Sequence, residues 1–206
     1  MTNILLLPKF SGAGTSFAIT TTGDWNDAIL FTAVGSPASP INMVGALASG
    51  NATVTVTNPA GLLPGQPISQ VPGIPSGTFI GTIPTATTLT MVDASNAPVT
   101  ATITDAEASL TFQPLPLDLT GITFLAQMRK AAGTATVYLT AQTIDGTLNN
   151  GGVTGILAFN IPQATLADLF PDTYVIDIVA TADGSTINLF PEGPATVTIL
   201  QGVSQP

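Results

Sequence analysis

The feature that most restricts this chain is a rhythm of two residues. Thr53-Val54-Thr55-Val56-Thr57, Thr88-Leu89-Thr90-Met91 and Thr196-Val197-Thr198-Ile199 each alternate a hydroxyl-bearing side chain with an aliphatic one. Successive side chains of a strand point to opposite faces, so each segment offers one Thr face and one apolar face, whereas a helix would scatter the apolar residues around its axis. Four other segments are more continuously apolar: Phe124-Leu125-Ala126-Gln127-Met128, Thr136-Val137-Tyr138-Leu139-Thr140, Ile156-Leu157-Ala158-Phe159 and Tyr174-Val175-Ile176-Asp177-Ile178. That composition suits strands covered on both faces or central in a sandwich. The 20 Gly and 17 Pro fall mostly between these segments, where turns are required. The expected class is all-β. One helical stretch is expected, residues 162–169, with Pro162 in its first turn and Pro171 ending it after about two turns.

Charge narrows the function. The 206 residues include 3 Lys+Arg against 12 Asp+Glu, a net charge of −9, and charged side chains make up 7% of the chain, where about 25% is usual. Histidine and cysteine are both absent, which removes disulfides, thiolate and imidazole ligands, and nucleophiles that depend on either residue. So acidic a chain lacks the clustered cations that nucleic-acid backbones or anionic membranes demand. A hydrophobic content of 45% still permits a packed core. Ile4-Leu5-Leu6-Leu7 is stopped by Pro8 and has no basic residue before it, so it fits neither a secretion signal nor a bilayer span, and a soluble chain is expected.

The composition shifts over residues 48–113. This stretch holds Gly/Pro turns such as Pro72-Gly73-Ile74-Pro75-Ser76-Gly77, short strands and no positive charge. Pro40-Ile41-Asn42-Met43-Val44-Gly45 before it and Pro116-Leu117-Asp118-Leu119-Thr120-Gly121 after it are similar phrases, as if a domain were interrupted and resumed. The expected organisation is an outer domain of residues 1–47 plus 114–206, with a small β domain inserted at 48–113.

The order of several segments carries a resemblance. Gly23-Asp24-Trp25-Asn26-Asp27-Ala28-Ile29-Leu30-Phe31, Pro116-Leu117-Asp118-Leu119-Thr120-Gly121-Ile122-Thr123-Phe124, Gly151-Gly152-Val153-Thr154-Gly155, Tyr174-Val175-Ile176-Asp177-Ile178 and Gly193-Pro194-Ala195-Thr196-Val197-Thr198 resemble a module of tailed-phage virion proteins. The module is similar to the immunoglobulin-like anchoring domain of upper baseplate proteins, and residues 50–113 resemble small β repeats of phage tail and fibre proteins. The resemblance implies an immunoglobulin-like β-sandwich interrupted by a small inserted β domain, in a non-enzymatic part of a virion assembled in a bacterial cytoplasm. It implies a tail, baseplate or fibre-adaptor role, with other virion proteins as partners and no cofactor. A capsid decoration protein bound to the major capsid protein is the alternative, and a receptor- or glycan-binding module is the third reading. The glycan reading is disfavoured because Phe79 and Phe112 are the insert's only aromatic residues.

No motif commands a catalytic reading. Asp24 and Asp27 flank Trp25 like a glycosidase subsite, but Gly23-Asp24 reads better as a turn before a strand at residues 28–32, with Trp25 as the largest core side chain. Asp183-Gly184 follows Asp177 and reads as a hairpin turn between 173–181 and 185–190. Asp145-Gly146 with Asn149-Asn150-Gly151-Gly152 offers several oxygen ligands but lacks the acidic alternation of a calcium loop and reads as a hairpin loop. Gly12-Ala13-Gly14 has no Gly-Lys-Ser/Thr after it and is not a phosphate loop. With so few charges available to blunt strand edges, a homo-oligomer or a subunit of a larger assembly is expected. The candidate subunit contacts are the cations Lys9, Arg129 and Lys130, and Ile4, Leu5, Leu6 and Leu7 as an arm lent to a neighbour.

Overall fold

A computed structural model describes residues 7–8, 15–69 and 71–202. The chain is nearly all β and forms two compact units. The outer unit takes Met1–Phe31 and Leu117–Pro206, and the inserted unit takes Thr32–Pro116.

The outer unit is a sandwich. Its larger sheet runs β1 (Ser16–Thr20), β14 (Ala195–Leu200), β12 (Asp172–Ala182), β8 (Thr123–Arg129) and β9 (Val137–Gln142), with β13 (Ser185–Asn188) added to the far half of β12. β1 and β14 are parallel and the other pairs antiparallel. The smaller sheet is β10 (Leu148–Asn150), β11 (Ile156–Phe159) and β2 (Ala28–Leu30). Alternation sets the facing. Along β12 the side chains of Tyr174, Ile176, Ile178, Ala180 and Ala182 are buried, while those between them stay half-buried. Of the continuously apolar segments, β8, β11 and β12 are central in their sheets, whereas 136–140 forms the edge strand β9, so continuous apolarity does not mark a central place there; only one face of β12 and β8 is fully buried. Trp25, Phe31, Phe124, Phe159 and Tyr174 join the aliphatic residues of both sheets in one core.

The turns follow their sequences. Asp183 (φ 48°) and Gly184 (φ 76°) both adopt positive φ between β12 and β13, the conformation of a two-residue hairpin turn whose twist matches the strands. The helix is shorter than the sequence predicts: α1 spans Gln163–Leu166, a single turn, with Pro162 extended at its N-cap. Ala167 still donates to the Gln163 carbonyl, after which Leu169 closes a tighter turn on the Leu166 carbonyl. Leu166 and Leu169 are both buried, so core anchoring and not helix propensity fixes this segment.

The inserted unit is a five-stranded antiparallel sheet in the order β5 (Phe79–Ile80), β6 (Thr88–Val92), β4 (Thr53–Val56), β3 (Ile41–Leu47), β7 (Asp105–Phe112). Its boundary lies earlier than the composition shift at residue 48 indicates. β3 pairs with β7 and β4, so residues 41–47 belong to the insert. The two similar phrases also prove unlike: Ile41 to Gly45 is strand, whereas Asp118 to Gly121 is a turn closed by Asp118 Oδ1 accepting from the Thr120 N–H. The core collects Val54, Val56, Leu89, Met91, Leu110 and Phe112. Gln66 is fully buried and satisfied, accepting from the Leu63 N–H and donating to the Gln113 carbonyl. Chain exit and re-entry are paired. Ala33 donates to the Leu115 carbonyl, and Leu117 donates to the Phe31 carbonyl, so an insertion at this point leaves the two strand ends where the outer unit needs them.

Candidate interaction surfaces

Two of the three expected cationic contacts, Arg129 and Lys130, are engaged within the chain. Arg129 ends β8, where its Nη1 donates to the carbonyls of Thr134 (2.7 Å) and Ala135 (3.1 Å) and its Nη2 donates to Gln127 Oε1 (2.6 Å). A planar guanidinium is suited to spanning such a turn, and three bonds leave it little to offer a neighbour. Lys130 pairs with the Asp172 carboxylate and lies 4.6 Å from the centre of the Tyr174 ring. That ammonium, aided by the Thr173 N–H, holds the Asp172 carboxyl below the usual carboxylate value. Lys9, Ile4, Leu5 and Leu6 lie outside the described residues. Leu7 is buried in the outer unit's own core, which makes it a packing residue of its own chain and not part of a lent arm.

The paired carboxylates beside Trp25 also serve the fold. Trp25 is buried, Nε1 donating to Asp27 Oδ2 (2.9 Å), and its ring stacks on Phe159 with centroids 4.2 Å apart. Asp24 Oδ1 accepts from the Gln163 N–H at the start of α1 (2.7 Å). In the other acidic run, Asp145 accepts from the Thr147 N–H. Asn150 donates to the carbonyls of Leu119 and Ile122 and accepts from the Gly152 N–H, which ties two turns together. Among the described residues no group of three or more His, Cys, Asp or Glu has a metal-holding arrangement.

What the sequence did not single out is an apolar face. On the smaller sheet of the outer unit, Ile156 of β11 and Leu30 of β2 are register partners. Both point away from the core, 40% and 43% exposed, and Val153 beside them in the short 3-10 turn Gly152–Thr154 is 67% exposed. No charged residue occurs in β2, β10 or β11. The pair was hidden because Ala28-Ile29-Leu30-Phe31 and Ile156-Leu157-Ala158-Phe159 are continuously apolar, and only the register tells which members turn outward. Gly155 makes this geometry possible: its φ is 67°, and a side-chain carbon there would lie 2.5 Å from the Phe31 carbonyl oxygen and 3.0 Å from the Leu117 nitrogen.

Comparison with known proteins returns no match, whether to a family model, a curated protein or a solved structure. No helix among the described residues is long and apolar enough to cross a membrane.

Proposed function

We propose that this protein is a non-enzymatic structural component of a tailed-bacteriophage particle, a tail, baseplate or fibre-adaptor subunit whose outer immunoglobulin-like sandwich docks on neighbouring virion proteins. The observation that carries the docking is the register-paired Leu30 and Ile156, with Val153 in the turn that leads into β11: exposed apolar side chains on two strands and a turn that carry no charge. Exposed apolar clusters are costly in water and are covered in assemblies. In a chain of net charge −9, a face without carboxylates adds no local like-charge penalty against an acidic neighbour. The virion setting rests on the resemblance of the outer segments to a baseplate anchoring module, and the carboxylates that would suggest hydrolysis are bound up in turns and caps.

The test is immunogold labelling and quantitative mass spectrometry of purified particles. Label on the tail or baseplate, at a copy number that is a multiple of three or six, is the expected result. Hundreds of copies on the head would reassign the protein to capsid decoration, and absence from particles would overturn the proposal. The double variant Leu30→Asp, Ile156→Asp is expected to fold and to be lost from the particles.

A further inference from the structure

Three strands of the larger outer sheet finish together. Thr20 of β1 pairs with Leu200 of β14, and Ile199 of β14 pairs with Asp172 of β12. Just past these ends, Thr21, Thr22, Asp168, Phe170, Gln201 and Gly202 help to line a cleft of about 480 Å³. Phe170 is 78% exposed, whereas every other described phenylalanine is buried or half-buried. Its segment is nevertheless anchored. The Phe170 carbonyl accepts from the Tyr174 hydroxyl (3.0 Å), and the preceding Leu169 is held by its N–H on the Leu166 carbonyl and by burial. The ring is thus presented on a fixed loop.

The polar groups beside it are unengaged. Among the described residues the Thr22 hydroxyl, the Asp168 carboxylate and the Gln201 carboxamide have no partner within the chain. Asp24, Asp27, Asp93, Asp105, Asp118, Asp145 and Asp172 accept hydrogen bonds from their own chain, whereas Asp168, like Asp177, Asp183, Glu107 and Glu192, is left open among the described residues, and it alone of these lines the cleft beside an exposed ring. The cleft therefore combines an accessible aromatic face with one acceptor-only group, one group that donates and accepts through an amide, and one hydroxyl. Among the described residues no Lys or Arg lines it, and the groups that do are suited to neutral hydroxyls, not to a phosphate, sulfate or uronate.

We propose that this cleft is a binding subsite for a neutral hexopyranose, with the C–H face of the sugar on Phe170 and its hydroxyls on Asp168 and Gln201. A small set of placed polar groups around an apolar platform is the usual make-up of a small-ligand site. The subsite lies in the outer unit, not in the insert, where Phe112 is buried and Phe79 half-buried. It stands independently of the virion reading.

The test is an NMR titration of the full chain with the methyl glycosides of glucose, galactose, mannose and N-acetylglucosamine, and with choline as a cationic competitor for ring and carboxylate. At least one glycoside is expected to saturate shifts confined to residues 21–22, 167–171 and 201–202, with a Kd of about 1 mM, and Phe170→Ala and Gln201→Ala each to weaken it about tenfold. Asp177→Asn, which alters another unpartnered carboxylate of the same sheet, is expected to leave the affinity unchanged, and an unshifted melting curve for Phe170→Ala shows that its fold persists. Saturation by none of the four glycosides, shifts elsewhere in the chain, undiminished binding by Phe170→Ala, or saturation of the cleft by choline alone would each overturn the assignment.

Discussion

The core of the outer unit is aromatic, and that of the inserted unit is aliphatic. Trp25 stacks on Phe159 and meets the edge of Phe17 at 5.5 Å, with Phe31 and Phe124 packed alongside, while the insert closes around Val, Leu, Ile and Met with Phe112 as its one fully buried ring. Their margins differ in the opposite sense. The insert's sheet ends on one side in a strand of two residues, β5, and on the other in β7, which carries Asp105 and Glu107. Short and charged edges deter strand addition. The outer unit's larger sheet ends in β1 and β9, neither with a charge; β9 has only an irregularity opposite Arg129 and the Thr147 hydroxyl on its Gln142 N–H to interrupt it. Outward-facing residues follow suit. Val44 of the insert faces Ser109 across its strand pair, where Leu30 of the outer unit faces Ile156. The outer unit carries most of the chain's charged residues, yet none of them lies on either edge strand of its larger sheet, so its edges are the ones left open to be covered, while the insert places Asp105 and Glu107 on an edge.

The comparison breaks if the two cores are one cooperative structure. Trp25→Ala removes the largest buried side chain and is expected to cost about 3–5 kcal/mol, and Leu89→Ala in the insert about 2–5 kcal/mol. Hydrogen exchange should show each variant losing protection in its own unit only. Loss in both units from either change would mean that they unfold together. Next in size is Gly155→Ala, expected to cost about 2 kcal/mol or more through its left-handed backbone and the blocked approach of Phe31. A denaturant midpoint measured on the outer unit's tryptophan fluorescence reads it directly.

Arg129 and Lys130 sharpen the picture within the outer unit. Arg129→Ala releases two turn carbonyls and the Gln127 amide and is expected to cost about 1–2 kcal/mol, in line with hydrogen bonds to a charged donor. Lys130→Ala breaks an exposed ion pair and is expected to cost less than Arg129→Ala. Comparable losses would show the Lys130–Asp172 pair to be more shielded than its surroundings indicate.

The elements were legible because their signal is local. Thr/aliphatic alternation marked β4, β6 and β14, and Asp183-Gly184 marked the β12–β13 turn. The insert's first boundary was not legible, since the strand Ile41–Leu47 differs little in composition from the outer strands and is assigned only by its partner β7. The same limit applied to the surfaces. A lone cation in an acidic sequence looks available to a neighbour, but whether a carbonyl lies within its reach is a tertiary fact, as Arg129 demonstrates. Conversely Phe170 reads as one more core ring until Leu166 and Leu169 are seen to take the buried positions of that segment. Register and reach are the quantities that one-dimensional periodicity does not encode.

The smallest expected effect is also the one most specific to the comparison. In the insert, hydrogen bonds from the Ser95 side chain and then from the Ala97 and Ser95 N–H groups depress the Asp93 pKa. The outer unit has three such carboxylates: Asp118 and Asp145 are depressed chiefly by the side chains of Thr120 and Thr147, and Asp172 by Lys130. A carboxyl whose folded pKa lies below its unfolded value, about 3.9 for Asp, contributes stability that is fully present above that unfolded value and is lost as the pH falls through the folded one. Acidification below about pH 4 should therefore weaken both units and the outer one more, because more of its turns depend on an ionised acceptor. All four carboxylates are open to solvent, although Asp93 as a residue is half-buried, so screening keeps each contribution small. The measurement is the urea midpoint of each unit, followed by exchange at its core amides across that range. Asp118→Asn and Asp145→Asn together should remove much of the outer unit's excess pH sensitivity and leave the insert's slope intact. Equal slopes in the unaltered protein would show that the acid response does not follow these four hydrogen-bonded carboxylates.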